Sequence, residues 1–368
     1  MLKLLHSVKV KEIEIEIEIE SRAANALQAI LEQIPALKFK TLKTEISGAD
    51  SGVDIMAHLD SAGQSHLLAC EAKSNGQPRY VRNAIYQLRS YVAHWGKPAT
   101  PVLIAPYLSP ASRELCIEND IYFLDFEGNA RIAFGTVIIE RALSRKPEPQ
   151  RREFESLFRP KSAQVLRVLL RNPKYVWKVA DLAVAAEVRL GHVRNVRTAL
   201  LEREWTSIVP EGLRLTAPDA LLDAWKSCYR PLVEQELRFC TILHGSVLEQ
   251  SIREMFVSLS QKADIALSSF SAAHWIAPLA RTGAQYLYAN ANALEHIQSK
   301  LRLSSALKGG NVVVSVTKDS GIFLDVYQPV PGIRCTSQVQ TYLDRSVGGE
   351  RGAEAAEHLR RMRLTWQN

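Results

Sequence analysis

Asp54, Glu71 and Lys73 are the residues of this chain best suited to do chemistry. Sixteen residues separate the two acids, and the lysine follows the second acid by two positions. Carboxylate oxygens are hard donors that suit Mg²⁺. A divalent ion held there stabilises charge developing on a phosphate and helps generate hydroxide, and a nearby ammonium orients or deprotonates the water. The chemistry that needs this set is phosphodiester hydrolysis. Gln87 and Tyr91, four residues apart, complete it.

Elements of the right period must position these groups. Val53–Leu59 and Leu67–Lys73 read as short apolar strands around a turn at Asp60–Ser65, which is a β-hairpin. On the second strand Glu71 and Lys73 leave the same face, with Cys70 and Ala72 on the other. A helix over Arg79–His94 would put Gln87 and Tyr91 on one face.

Taken together, Asp54, Glu71-Ala-Lys73 and Gln87-x-x-x-Tyr91 resemble the PD-(D/E)xK nuclease superfamily, the last pair being similar to a motif of its RecB-like branch. The resemblance covers roughly the first third of the chain, the extent of one domain. It implies Asp54 and Glu71 as Mg²⁺ ligands, Lys73 as the catalytic lysine, and Gln87 and Tyr91 as a DNA- or site-facing pair. Gly52-Val53-Asp54 departs from the pattern, because no proline precedes the first acid. An alternating charged pair is also what a solvated strand face looks like. Since fold does not dictate function, the nuclease fold is expected to be either active or a non-cleaving platform.

The chain of 368 residues has room for two or three domains, and its apolar and charged fractions are ordinary for a soluble protein. No apolar run has the length to cross a bilayer, and the start of the chain lacks a signal-peptide pattern. Five scattered cysteines show no zinc spacing, so a reducing cytoplasm is the expected location. The net charge of +7 is unevenly placed: Arg151–Leu215 holds thirteen Lys and Arg against seven Asp and Glu, an excess of six. Such clustering points to a polyanion partner for that segment.

The expected layout is a multi-domain α/β chain. Residues 1–144 form the restriction-endonuclease-like domain, 145–160 a charged, proline-bearing linker, 161–217 a winged helix-turn-helix, and 218–368 an α+β C-terminal domain. In the first block Glu12–Ile19 alternates strictly, Glu against Ile, and is read as a strand ahead of a helix at Ala23–Ile34. Strands follow at Lys38–Ile46, Pro101–Ala105, Tyr122–Phe126 and Ala130–Phe134, and a helix at Ser109–Asn119. In the block 161–217, helices at Ala163–Leu170, Lys178–Glu187 and Gly191–Glu204 lead into a hairpin of Trp205–Val209 and Leu213–Leu215. Val193, Val196, Leu200 and Leu201 would face inward. Arg189, His192, Arg194, Asn195 and Arg197, with Arg214 on the hairpin, would face duplex DNA, where such helices meet base edges or phosphates. A helical module used for protein contact is the alternative.

In the last block, helices are expected at Ala220–Tyr229, His244–Ser260, Ser268–Ala280, Leu294–Leu301, Thr336–Asp344 and Gly352–Met362. Strands are expected at Ala284–Ala289, Asn311–Val316 and Ile322–Val326. Ser271-Ala272-Ala273-His274, Asp319, Ser337–Asp344 and Arg351–Glu357 together resemble the C-terminal domain of AbiEi-type antitoxins of type IV toxin–antitoxin systems. That resemblance implies operator binding and autoregulation, with a cognate toxin or defence-system protein as partner; an oligomer is compatible with it. Gly245-Ser246 is read as structural, and His274 as a packed or capping residue. Two functions follow: a DNA-binding antitoxin-like regulator carrying a nuclease fold, or a Mg²⁺-dependent DNA nuclease of a phage-defence or mobile-element system. A scaffold within such a complex is a third.

Overall fold

The computed structural model describes residues 2–35, 37–44, 52–61, 63–95, 97–143, 152, 155–259, 264–279, 283–306 and 309–366, with the backbone alone for 2–14. The expected linker stretch 145–151 lies outside the described residues, as do the ends of the strand expected at Lys38–Ile46 and of the helices expected to reach Ser260 and Ala280. Two compact units emerge: Met1–Arg151 with Leu201–Glu204, and Arg152–Leu200 with Trp205–Asn368.

The first unit is built on a seven-stranded sheet whose strands lie in sequence order. After helix α1 (Leu2–Leu31) come β1 (Leu37–Thr44), β2 (Ile55–Ser61) and β3 (Gln64–Ala72), paired antiparallel. Helix α2 (Pro78–Trp95) and helix α3 (Pro110–Glu118) then cross over to β4 (Thr100–Ala105) and β5 (Tyr122–Asp125), both added parallel. β6 (Ala130–Phe134) and β7 (Val137–Arg141) close the sheet as antiparallel strands. Each sheet face is apolar because each is covered. Ala23, Leu27 and Leu31 of α1 pack on Ile55, Leu68 and Cys70, while Val81, Ala84 and Leu88 of α2 pack on Met56, Ala69 and Leu103.

The alternating Glu12–Ile19 segment is not a strand. It is helical throughout, and Ile15 and Ile17 stay about half exposed while Ile19 is buried. Ile19, Ala23, Leu27, Ile30 and Leu31 recur at helical spacing, and glutamate favours helix. Once that face docks on the sheet, adding further turns costs little, since propagation gains a hydrogen bond per residue fixed. The two-residue alternation yielded to the helix that continues from it.

The second unit starts with α4 (Pro160–Arg171), α5 (Val179–Ala185) and α6 (Leu190–Glu202), followed by the hairpin β8 (Thr206–Val209) and β9 (Gly212–Leu215). Leu182, Ala183, Val193, Val196, Leu200, Leu213 and Leu215 form its buried side. Gly212 sits at φ 149°, where a Cβ would lie 2.4 Å from the Trp177 carbonyl oxygen, so the turn needs glycine.

Helix α7 (Pro218–Cys228) leads into a mixed sheet of β10 (Gln235–Cys240), β11 (Ile265–Leu267), β12 (Gln285–Ala289), β13 (Ser304–Ser305) and β14 (Val312–Val316). Their order is β11-β12-β14-β10-β13, with β12 and β14 parallel. Around it lie α8 (Gly245–Val257), α9 (Ser269–Ile276), α10 (Leu294–Lys300), α11 (Gly321–Leu324), α12 (Gln338–Ser346) and α13 (Gly349–Arg363). β10, β11 and β13 were not anticipated.

The strand expected at Ile322–Val326 is instead the single helical turn α11. Asp319 Oδ1 accepts the Gly321 amide at 3.0 Å and turns the chain, so Ile322 and Phe323 enter the core without extending the sheet. α4 is tied to α12 by a buried polar cluster. Arg167 donates to Gln340 (2.8 Å) and pairs with Asp319 (3.4 Å). Gln340 donates to the Tyr229 hydroxyl and to Asp344, and both Tyr229 and Tyr288 donate to Asp344. Burial pushes the Asp344 carboxyl up to about 6. Among the described residues, no helix is long and apolar enough to cross a membrane.

Candidate acidic site and candidate nucleic-acid face

Register sets the acidic site. β2 and β3 pair with Ile55 opposite Cys70, so continuing that ladder by one step places Asp54 opposite Glu71. Directly opposite residues on antiparallel strands leave the same face as near neighbours. Asp54 Oδ2 accepts the Ala72 amide at 2.7 Å, which fastens the start of β2 to the end of β3. Glu71 is only 3% exposed, and its Oε1 receives Lys73 Nζ at 2.5 Å. The loop beyond Lys73 is held by Gly76, whose carbonyl accepts the Ser112 hydroxyl at 2.7 Å; a Cβ there would strike the Tyr107 carbonyl.

The electrostatics follow from this burial. Desolvation, then the Asp54 charge, push the Glu71 carboxyl up to about 7 against the opposing pull of Lys73. Asp54 is also raised, chiefly by burial, with the Ala72 amide and Lys73 working the other way. Glu16 and Glu20 of α1 add negative potential, the first at Asp54 and the second at Glu71. The sequence reading missed both. Their signal lay in the Glu-Ile alternation, which only makes sense as a site-facing row once α1 is known to be helical.

Among the described residues no group of three His, Cys, Asp or Glu side chains gathers to hold a metal ion. Asp54 and Glu71 by themselves offer a donor set of two opposed carboxylates. It fits Mg²⁺, which keeps several waters and needs only one or two carboxylates. A carboxyl pushed up first by burial and then by a like charge beside it gains from a bound cation.

Gln87 and Tyr91 part company. Gln87 is exposed and lines a recess of about 410 Å³ with Lys73, Tyr80, Asn83 and Tyr86. Tyr91 is 7% exposed; its hydroxyl meets Met56 Sδ at 3.4 Å and its ring stacks on Trp95. Four residues overshoot a helical turn by about 40°, enough to carry Tyr91 over the edge into the core. Asn83 and Tyr80, four and seven residues before Gln87, continue the same stripe and were within reach of the helical spacing.

On α6, Val193, Val196 and Leu200 are buried, whereas Arg189 just before it and His192, Arg194 and Asn195 on it are exposed. Arg197 is half-buried, Arg214 is exposed on β9, and Leu201 is half-buried, not part of the core. His274, expected to pack or cap, is exposed at the end of α9.

Residues 214–364 match the family described as "Transcriptional regulator, AbiEi antitoxin, Type IV TA system". The match starts in β9 and covers less than half of the chain. No curated protein and no solved structure matches the sequence.

Proposed function

We propose that this chain is a DNA-binding regulator of the AbiEi antitoxin kind. On this reading α4–α6 with β8 and β9 act as a winged helix-turn-helix on duplex DNA, and a cognate toxin is the protein partner. One observation carries it: α6 buries its apolar stripe and leaves Arg194 and Asn195 on the opposite side, with His192 exposed at the flank of the stripe. Arginine and asparagine at the start of such a helix are able to read guanine and adenine or to hold phosphate. The family match supports the regulatory part of the reading. Titration of the full chain with its own upstream DNA, at several salt concentrations, tests it. Replacing Arg194 and Arg197 by alanine should weaken binding and reduce the salt slope by roughly one unit for each phosphate no longer neutralised. Binding unaffected by salt or by these changes would defeat the proposal.

The opposed Asp54 and Glu71 carboxylates favour a second reading, a PD-(D/E)xK nuclease that cuts DNA with Mg²⁺. Asp54 and Glu71 would hold the ion, which when bound supplies charge neutralisation at a phosphate and a more acidic water. Lys73 draws the Glu71 carboxyl toward its ionised form against the effect of burial and offers a donor in the wall of the recess. Asn83, Tyr86 and Gln87 would position the backbone of a nucleic acid strand. Nicking of plasmid by the wild type with Mg²⁺, abolished in Lys73→Ala, is the expected result; wild-type protein that binds Mg²⁺ yet never nicks would leave the fold as a platform.

A further inference from the structure

A second cavity, of about 530 Å³, lies wholly within the second unit. Phe270, Ala273 and His274 of α9, Tyr286 of β12, and Arg351 and Glu354 of α13 line it. Its size falls within the range of small-ligand pockets, and its lining has their character: mostly apolar and aromatic, with a few convergent polar groups. Ser271–His274 and Arg351–Glu357, separated by some eighty residues of sequence, meet here. DNA binding and phosphodiester hydrolysis use neither.

We infer that this cavity binds a nucleotide, its base stacked on Phe270 and Tyr286 and its phosphate held by Arg351. The two rings stand 5.4 Å apart at 40° and present a partly aromatic wall. Behind Phe270, the fully buried Arg345 guanidinium lies 3.0 Å from the ring centre. Arg345 does not line the cavity, so it covers the protein side of that ring. A cation already drawing on the negative face of a ring leaves the other face a poor seat for a second cation. The same face suits stacking by an electron-rich planar base, which gains about 1–3 kcal/mol on an aromatic side chain.

The polar groups match the rest of a nucleotide. Arg351 stands in the first turn of α13, where the backbone dipole also favours an anion. Glu354, three residues on, shares that side of the helix and accepts hydrogen bonds only. A guanine edge, with adjacent N–H donors, serves it best. Among the described residues, no ion pair or side-chain hydrogen bond engages Arg351 or Glu354. The nucleotide has two sources, a free mononucleotide or the end of a single strand.

Calorimetry on the full chain with GMP, guanosine, ribose 5-phosphate and a guanine-ended pentanucleotide tests the inference. GMP should bind more tightly than guanosine, and ribose 5-phosphate should not bind. Arg351→Ala should weaken GMP about tenfold, as expected for loss of a charge-assisted hydrogen bond, and leave guanosine unchanged. Glu354→Gln should weaken GMP and guanosine alike. Among the described residues a Cβ on Gly283, at the cavity wall, meets nothing within 4 Å, so Gly283→Leu should keep the fold, place its side chain in the space and abolish binding. Tighter binding of the pentanucleotide, equally sensitive to Gly283→Leu, would identify a strand end as the source. No binding of GMP or pentanucleotide at millimolar concentration, or binding that Gly283→Leu and Arg351→Ala leave intact, would overturn it.

Discussion

Glu71→Gln should make the first unit more stable as pH rises relative to the wild type. In the folded chain the Glu71 carboxyl sits at about 7 against an ordinary 4.5. That gap of about 2.5 units corresponds to about 3 kcal/mol at roughly 1.4 kcal/mol per unit. With 3% exposure, little of it is lost to solvent screening. Between those two values the folded protein holds a proton that the unfolded chain has released, so wild-type stability falls as pH rises through the window and the loss is complete above about 7. Glutamine cannot ionise. The variant-minus-wild-type stability difference should therefore grow by about 3 kcal/mol from pH 4.5 to 8; the attraction of Lys73 for the ionised carboxylate is already part of that shift, and only the change of the neutral side chain adds a pH-independent offset. Unfolding of a chain with two units is not one transition, so the suitable assay is native-state hydrogen exchange of the β3 amides, corrected for its intrinsic pH dependence. A difference that stays flat across the window would refute the reasoning, because Glu71 would then be ionised in both states.

Other changes probe separate parts of the molecule. Asp54→Ala and Glu71→Ala should each abolish calorimetric Mg²⁺ binding, and an unchanged isotherm in either would remove these carboxylates as ligands. Arg167→Met leaves Asp319 buried without its cation and Gln340 without a donor, so stability of the second unit should drop by about 3–5 kcal/mol; an unaltered melting curve would show the cluster to be incidental. Gly321→Ala puts a Cβ 2.5 Å from Gln164 Cγ under α4 and should cost about 1–3 kcal/mol by thermal denaturation, with no loss if α4 and α11 are free to part.

Local signals served the sequence reading well where neighbours along the chain settle the matter. The β2–β3 hairpin, α2, and the run from α4 through β9 each carry a clear period bounded by turn residues, and each formed close to its expected limits. The amphipathic split of α6 could be read because one face of a short helix needs only its own spacing to define it. Failures came where two local patterns competed, as at Glu12–Ile19, or where a short apolar run fitted helix and strand equally, as at Ile322–Val326. Such a run is resolved by what packs against it, and α11 was decided by the buried Asp319 and by α4 overhead.

The amino-acid order alone determined which residues share a strand or helix face: Glu71 with Lys73, Val193 with Val196 and Leu200. It also located the basic excess in Arg151–Leu215. Tertiary structure decided what each face meets. It set Asp54 opposite Glu71, brought Glu16 and Glu20 toward them, drew Tyr91 into the core and left Gln87 at the recess, and joined α9 to α13 around a cavity. Periodicity is a property of a few consecutive residues, whereas opposition, burial and the field at a carboxylate depend on atoms far away in the chain.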